Sequence, residues 1–263
     1  MRTIFAFIVT IFLVPSILAQ DNLASKKLNS MIEAGMKEWK IPGLTTVVVK
    51  NGEIVFSKAY GIKDIHTKEV VDQNTLFNMG STTKALIAIS LGILVDRDEI
   101  EWNDKVIDHL PSFRLIDSYI TAEARVKDLL THNLGIEDAD LLWMIDSTST
   151  NQTIDRLRYA EKAYPLRGGF IYQNVMYVVA GQLIQSVSGQ HWTRFVEDNI
   201  FVPLEMTRTQ AKSANVVRAG NYVAPHYIDE ESDLVRLPQY FSDQIGAAGL
   251  VWSTTKDIGN YLI

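Results

Sequence analysis

The feature that most constrains this chain is a long apolar segment that follows the pair Gly80-Ser81 and Lys84. Residues 85–95 are apolar on almost every face of a helix, and the run stops at Asp96. Such a helix belongs in the centre of a protein, because no face of it suits water. Residues three apart on a helix share a face, so the Lys84 side chain is predicted to reach back to the Ser81 hydroxyl.

The pairing of Ser81 with Lys84 predicts acyl chemistry. A serine hydroxyl attacks acyl carbon atoms only when a neighbouring base takes its proton, and a desolvated lysine can be that base. The alternative is that Ser81 only caps a core helix while the Lys84 side chain extends to solvent. The same spacing recurs at Ser253 and Lys256, where an ordinary amphipathic helix start indicates a cap, so the spacing alone is weak.

A second signal is Tyr172-Gln173-Asn174, which lies 91 residues after Ser81 and directly before another apolar segment. A turn there is predicted to project a phenol and a carboxamide towards the serine. Beside Lys84 the phenolate of Tyr172 is favoured, so it can take the serine proton or pass it to a leaving group. Asn174 offers a donor and an acceptor to an amide-like substrate. The alternative is a core tyrosine followed by a helix-capping asparagine.

The remaining pattern predicts helices around a hairpin. Residues 22–40 have helical spacing, and residues 44–50 and 53–60 are strand-like and joined by Asn51-Gly52, the strongest short hairpin signal. Residues 101–213 are mostly helical, with a strongly apolar helix over 174–187. Residues 249–252 are strand-like, and Ser253-Thr254 predicts a helix cap before a face of Ile258, Tyr261 and Leu262.

Composition excludes several classes of function. The chain has a net charge of −6 and no cluster of lysine and arginine, which argues against nucleic acid and anionic membrane surfaces. It contains no cysteine, so disulfides and thiolate sites are excluded. Its five histidines show no metal-ligand spacing, and no metal site is expected. His132 is expected to be a packed or capping residue; Trp143 and Tyr240 either border a cleft or simply pack.

The amino terminus predicts export. Residues 1–19 have the layout of a signal peptide, with Arg2, an uncharged apolar stretch over 4–18 and the small residue Ala19. That stretch is shorter than the roughly 20 residues of a membrane span. Its removal changes the net charge from −6 to −7, because Arg2 is its only charged residue. A secreted or periplasmic protein without a stable membrane span is expected, and an uncleaved anchor is the alternative.

The two motifs together have a known counterpart. Serine-x-x-lysine opening a buried helix, then tyrosine-x-asparagine, resembles the serine β-lactamase and penicillin-binding-protein superfamily. The likeness is closest to its class C side, which includes esterases and D-amino-acid-specific peptidases. It covers residues 24–263 and includes these shorter matches: Thr75-Leu76-Phe77, Leu129-Leu130-Thr131-His132 with Gly135, Pro203-Leu204 with Met206-Thr207, and Gly246-Ala247-Ala248-Gly249-Leu250 with Ser253-Thr254.

The resemblance implies a fold and a mechanism. The implied fold is α/β (α+β) and β-lactamase/transpeptidase-like. An antiparallel sheet lobe with flanking helices is expected from residues 20–80 and 215–263, and an inserted, mostly helical lobe from residues 81–214. Ser81 is implied as the nucleophile and, through its backbone N–H, as an oxyanion donor; Lys84 and Tyr172 manage the proton, and Asn174 binds substrate. Small esters, D-amino-acid peptides or β-lactams are the implied substrates, without a cofactor.

One motif of the superfamily, Lys- or His-x-Gly on a strand lining the site, has no counterpart after Ser81. The chain's Lys50-Asn51-Gly52 is predicted to be the hairpin turn, and no His-x-Gly occurs. The last apolar helix also stops at Ile263 without a cap. We therefore expect the domain over residues 20–263 to have an incomplete sheet at its C-terminus. The alternative to a serine hydrolase is a non-catalytic fragment or a binding homologue of the same superfamily.

Overall fold

The fold is given by a computed structural model that describes residues 17–144, 148–241 and 243–263. The predicted signal peptide therefore lies outside the described residues except for residues 17–19. The α-helices in these ranges are α1 (Ile17–Glu38), α2 (Thr83–Asp96), α3 (Val106–His109), α4 (Ser118–Glu123), α5 (Leu141–Met144), α6 (Thr150–Arg156), α7 (Asn174–Ser188), α8 (Trp192–Val196), α9 (Ser213–Ala219), α10 (Gly246–Gly249) and α11 (Thr255–Leu262).

Short strands and tighter turns connect these helices. The strands are β1 (Gly43–Lys50), β2 (Glu53–Gly61), β3 (Phe77–Asn78), β4 (His226–Ile228), β5 (Leu234–Arg236) and β6 (Trp252–Ser253). The 3₁₀ segments are Gly80–Thr82, Val126–Leu130, Leu157–Tyr159 and Asp243–Ile245, and Glu197–Phe201 is a π-helical segment. None of the helices in the described ranges is both long enough and apolar enough to span a membrane.

The predicted hairpin is confirmed. β1 and β2 pair antiparallel with Lys50 opposite Glu53, and the pairing shifts register at a bulge beside Val48. Asn51 and Gly52 between them have φ values of 53° and 77°. Two left-handed residues form the turn whose twist matches that of paired strands, and asparagine and glycine are the residues that adopt it most easily. Lys50-Asn51-Gly52 is therefore a turn, as predicted.

The other strands form short antiparallel pairs. β3 pairs with β6, with Asn78 opposite Trp252, and this brings the chain just before Ser81 against the glycine-rich segment. β4 pairs with β5. The prediction of a strand over residues 249–252 is wrong in part: Gly249 ends α10, and only Trp252 of that stretch is in β6. The reason is packing, because the small residues of α10 form one helical turn against α7.

The central helix is α2, as predicted, and it packs against α7, α8 and α10. Its buried apolar residues are Leu86, Ile87, Leu91 and Leu94. Fully buried residues of α7 face them, among them Val175, Val179 and Leu183. The expectation that α2 is buried on almost every face is wrong in one respect. Ala85 and Ile89 reach the surface, and Ile89 is 40% exposed.

The last helix, α11, covers the hairpin. Its N-cap is Thr254, whose hydroxyl accepts the backbone N–H of Asp257 at 3.2 Å, so the predicted cap is present. Gly259 faces the strands so closely that a Cβ atom there would lie 2.6 Å from Ile54 Cδ1. The predicted apolar face is wrong at Leu262, which is 49% exposed, because the side of α11 that contains Gly259 packs on the hairpin.

Candidate active site

Ser81 lies in a tight turn rather than in α2 itself. The 3₁₀ segment Gly80–Thr82 leads directly into α2. The Asn78 side chain holds this turn from both sides: its Oδ1 accepts the N–H of Gly80 at 2.9 Å and its Nδ2 donates to the Gly249 carbonyl at 3.1 Å. Gly80 has φ of 51°, a left-handed value that suits glycine. The turn leaves Ser81 exposed at the start of a buried helix.

Lys84 is buried directly behind Ser81. The residue is 7% exposed, so the alternative in which its side chain extends to solvent is wrong. Its Nζ donates to Ser81 Oγ at 3.1 Å, to Asn174 Oδ1 at 2.8 Å and to the Ala248 carbonyl at 2.8 Å. A lysine ammonium has three N–H donors, and here each has an acceptor. Burial of this cation is therefore offset by a full set of hydrogen bonds.

Tyr172 contacts the serine from a segment that lies 91 residues further along the chain. Its hydroxyl donates to Ser81 Oγ at 2.8 Å, and Lys84 Nζ lies 4.9 Å from the centroid of its ring. Burial acts to raise the pKa of Tyr172, but hydrogen bonding to Lys84 and Ser81 and the positive charge of Lys84 outweigh it. The pKa therefore lies below its ordinary value of 10.0. The phenolate form is easier to reach here than in water.

The segment that carries Tyr172 is held by His132. The His132 carbonyl accepts the N–H of Ile171 at 3.1 Å, and its Nδ1 accepts the N–H of Gln173 at 3.0 Å. Its ring lies 4.4 Å from the Tyr172 ring, centroid to centroid. Burial, followed by the charge of Lys84, lowers the pKa of His132 below 6.5, which favours the neutral ring that can accept at Nδ1. His132 is thus packed, as expected, against the rings of Tyr172, Tyr177 and Phe170.

Asn174 lies at the first position of α7. The N-cap of this helix is Gln173, so the alternative of a capping Asn174 is wrong. While its Oδ1 accepts from Lys84, its Nδ2 donates to Asp140, at 2.9 Å from Oδ2 and 3.2 Å from Oδ1. Trp143 Nε1 donates to the same carboxylate at 3.1 Å. Sequence reasoning missed Asp140, because nothing in the local pattern of residues 137–140 distinguishes one carboxylate from its neighbours.

A cleft of about 390 Å³ adjoins the serine turn. Asn78 and Gly249, which flank that turn, belong to the wall of the cleft. Tyr240 also borders the cleft, which is one of the two possibilities predicted for it. Aromatic and aliphatic side chains form most of the rest, including Phe77, Phe241, Leu250 and Trp252. This cleft beside the serine turn therefore suits an apolar group.

The second serine-x-x-lysine is built differently. Ser253 is 3% exposed, lies in β6 and shares a hydrogen bond of 2.8 Å with the Thr209 hydroxyl. Lys256 is exposed on α11. A buried hydroxyl without a neighbouring amine is poorly placed to act as a nucleophile. The interpretation of Ser253 as the cap is wrong by one residue, because Ser253 lies in β6 and Thr254 is the N-cap of α11. Across the described residues, no group of three histidine, aspartate or glutamate side chains is arranged to hold a metal ion.

Comparison with known proteins identifies the family. The family model described as "Beta-lactamase" matches residues 28–263. The chain belongs to the beta-lactamase family. Among solved structures, the octameric penicillin-binding protein homologue from Pyrococcus abyssi is similar with a TM-score of 0.79 and 27% identity, over 90% of this chain and 55% of that one. A class C beta-lactamase has a TM-score of 0.77 and 18% identity, over 92% and 64% respectively.

Curated relatives are similar over less of their own length. Unguisins hydrolase ungD of Aspergillus violaceofuscus (strain CBS 115571) is 29% identical over 241 residues, 86% of this chain and 42% of that protein. Protein flp of Staphylococcus aureus (strain NCTC 8325 / PS 47) is 28% identical over 198 residues, 74% of this chain and 40% of that protein. The chain thus spans about two fifths of these relatives. The superfamily and the β-lactamase/transpeptidase-like fold predicted from sequence are confirmed.

Proposed function

We propose that this chain is a serine hydrolase that acts through an acyl-enzyme on Ser81. One observation carries the proposal: Ser81 Oγ receives hydrogen bonds from both Lys84 Nζ and the Tyr172 hydroxyl, at 3.1 and 2.8 Å. Two groups that can exchange protons thus meet at one exposed hydroxyl, backed by a buried cation. This is the arrangement that activates a serine for attack on an acyl carbon.

We assign the base to Tyr172. Lys84 Nζ lies within hydrogen-bonding distance of three acceptors, which matches the three N–H groups of an ammonium, so we assign Lys84 the role of the cation. The lowered pKa of Tyr172 makes its phenolate accessible. Once the phenol has lost its proton, the hydrogen bond reverses and the Ser81 hydroxyl donates to the phenolate oxygen. Lys84 then stabilises the negative charge of the phenolate through space.

The reaction follows in two halves. Ser81 Oγ bonds to the substrate carbonyl carbon as its proton moves to Tyr172, and the carbonyl oxygen becomes an oxyanion. The Ser81 N–H lies in the first turn of its helical segment, where N–H groups lack an intrahelical acceptor, and we assign it to this oxyanion. Collapse expels the alcohol or amine, which takes the proton from Tyr172. Water repeats the sequence on the acyl-serine and releases the acid.

We assign Asn174 to substrate binding. Lys84 uses one lone pair of its Oδ1, and Asp140 receives its Nδ2. An amide oxygen has two lone pairs, so Oδ1 keeps one for an N–H of the substrate. Small esters, D-amino-acid peptides and β-lactams are the proposed substrate classes. Similarity to Unguisins hydrolase ungD supports hydrolysis in general, and the substrate class is left to experiment.

Covalent labelling tests the proposal. The protein is incubated with a fluorophosphonate or with a penicillin, and the adduct is located by mass spectrometry of peptides. We expect one adduct, on Ser81, that Ser81→Ala abolishes. Ser253→Ala is the matched control from the second serine-x-x-lysine and should keep the adduct. A folded protein that carries no adduct on Ser81 with either probe would overturn the enzyme assignment in favour of a non-catalytic fragment or binding homologue.

A further inference from the structure

The orientation of the Asn174 amide decides how Lys84 is held. An amide has an acceptor end and a donor end of nearly the same shape. If the Asn174 amide were rotated by half a turn, its Nδ2 would face the Lys84 ammonium, and two donors would oppose each other. The observed orientation presents Oδ1 to Lys84 at 2.8 Å. Some other group must therefore favour this orientation over the rotated one.

Asp140 is that group. An ionised carboxylate only accepts hydrogen bonds, and both of its oxygens lie within 3.2 Å of Asn174 Nδ2. In the rotated amide, Oδ1 would face this carboxylate and repel it. Lys84 on one side and Asp140 on the other thus select the same orientation. Bonds to charged groups are the stronger hydrogen bonds of proteins, so the preference is large.

Asp140 is itself fixed by its surroundings. It directly precedes α5, and from that helix Trp143 donates its indole N–H to Asp140 Oδ1 at 3.1 Å. The Asp140 backbone N–H donates to Asp138 Oδ1 at 2.9 Å, which closes a local turn. Gln173 adds a link between the two segments, because its Nε2 donates to the Glu137 carbonyl at 2.8 Å. The carboxylate is therefore held at a defined point opposite α7.

We propose that Asp140 is a positioning residue, which acts through Asn174 to fix Lys84 against Ser81. The proposal rests on the function proposed above, since Lys84 matters there to acyl transfer. The chain of contacts runs from the Asp140 carboxylate to Asn174 Nδ2, from Asn174 Oδ1 to Lys84 Nζ, and from Lys84 Nζ to Ser81 Oγ. Asp140 has no hydrogen bond with Ser81 or Tyr172 among the described contacts. Its charge also acts on Tyr172 through space, where it raises the pKa and is the smallest of five contributions, so only its hold on Lys84 passes through Asn174.

The kinetic test is a double-mutant cycle on Ser81 labelling. Asp140→Ala frees the amide to rotate, and we expect the maximal labelling rate to fall by about 10- to 100-fold with little change in probe affinity. In the Asn174→Ala background, Asp140→Ala should cause no further loss, because the residue through which it acts is gone. Asp140→Asn should restore the rate only in part, because its one oxygen can accept from Trp143 and Asn174 while its NH₂ takes the place of Oδ2, 2.9 Å from Asn174 Nδ2.

Asp138→Asn is the matched control. It removes one negative charge from the same loop while it keeps an oxygen for the Asp140 N–H, and labelling should stay at the wild-type rate. A merely structural role for Asp140 predicts additive losses in the double mutant and a parallel fall in melting temperature. Additive losses, or an Asp140→Ala protein that labels at the wild-type rate, would overturn the proposal.

A second readout does not depend on activity. The side-chain NH₂ signals of Asn174 can be assigned in a ¹⁵N–¹H spectrum by their loss in Asn174→Ala. We expect Asp140→Ala to shift these signals strongly, and Asp138→Asn to leave them in place. If wild-type Ser81 is never labelled but the shift occurs, the hydrolase proposal fails and the positioning by Asp140 stands. If Ser81 is labelled but the signals do not move, the positioning proposal fails by itself.

Discussion

Replacement of Gly181 by alanine tests whether the packing of α10 supports the site. Gly181 is buried in α7, and a Cβ atom there would lie 2.9 Å from the Ala247 Cβ and 3.2 Å from Trp192 Cδ1. A separation of 2.9 Å between two carbon atoms is well inside their optimal distance. Alanine at this position must therefore push α10 away from α7. The next residue of α10, Ala248, provides the carbonyl that accepts from Lys84.

Two opposing effects determine how much Gly181→Ala changes the free energy of unfolding. Alanine is favoured over glycine within a helix by about 0.8–1.0 kcal/mol. Overpacking of a close contact costs about 1–3 kcal/mol. The difference predicts that Gly181→Ala lowers the free energy of unfolding by roughly 0–2 kcal/mol. A reference is needed to separate the two effects, and α2 offers one.

Gly92→Ala is the matched control. Gly92 also lies within a helix, but the nearest atom to its added Cβ is Trp102 Cζ2 at 3.8 Å, an ordinary contact. This variant should gain about 0.5–1 kcal/mol. Gly181→Ala should therefore be less stable than Gly92→Ala by about 1–3 kcal/mol, which is roughly 2–12 °C in Tm for a chain of this size.

Thermal unfolding followed by circular dichroism measures the stability difference, and the rate of Ser81 labelling measures its effect on the site. We expect Gly181→Ala to label more slowly than wild type, because its shift of α10 withdraws the Ala248 carbonyl from Lys84. Gly92→Ala should label at the wild-type rate. If both variants melt at the same temperature, then α7 and α10 do not touch as described and the reasoning is refuted.

Three further predictions concern the neighbours of the serine. Tyr172→Phe should slow labelling of Ser81 by about 10²–10⁴-fold and abolish its rise with pH, which in wild type is centred below pH 10.0. For His132, the unfolded chain binds the proton more readily than the folded one, so the free energy of unfolding measured in urea should fall as pH drops below 6.5; His132→Asn should lose this component. Arg167→Met should cost about 1–3 kcal/mol in thermal unfolding, because Arg167 donates two hydrogen bonds, at 2.9 and 2.6 Å, to the buried Asp128 carboxylate.

The predictions for Tyr172 and Arg167 each have a control variant, and the substitution at His132 is chosen to be conservative. Tyr177→Phe removes a hydroxyl that donates to the Leu130 carbonyl, and it should leave the pH dependence of labelling intact. Asparagine suits position 132 because it tolerates the observed φ of 58° and offers a non-titrating acceptor. Arg158→Met breaks an exposed pair with Asp155 and should change stability by less than about 1 kcal/mol. Wild-type labelling kinetics in Tyr172→Phe would contradict the first argument. The second would be contradicted if the free energy of unfolding of His132→Asn kept the wild-type pH dependence. The third would be contradicted if Arg167→Met and Arg158→Met lost the same stability.

The sequence predicts those parts of the fold that depend on interactions between residues close together in the chain. The Asn51-Gly52 turn could be read from sequence because few residues adopt two successive left-handed conformations. The start of α7 and the end of α2 were predicted by the limits of their apolar runs. The one-turn helix α10 was not, because Gly246, Ala247, Ala248 and Gly249 carry no apolar periodicity. Trp192 requires glycine at 246, and Gly181 of α7 faces Ala247; both Trp192 and Gly181 are distant in sequence from α10.

The sequence predicts the side chains of the site but not the backbone groups that contact them. Ser81, Lys84, Tyr172 and Asn174 were named from two motifs, and the structure brings them within hydrogen-bonding distance. The Ala248 carbonyl could not be named, because every residue has a carbonyl and only the fold selects one. The boundaries of the two lobes and the export signal stay predictions.

The hydrogen bonds of Lys84 tie the chemistry of the site to the packing of the whole domain. Its three acceptors belong to the 3₁₀ turn before α2, to the start of α7 and to α10, the last 164 residues further along the chain. Loss of the Ala248 acceptor would leave a buried N–H unpaired at a cost of about 1–3 kcal/mol. A larger side chain at Gly181 or Gly246 displaces α10 and with it the third acceptor. Small residues are therefore needed at these two positions because they let α10 pack closely enough for its carbonyl to accept from Lys84.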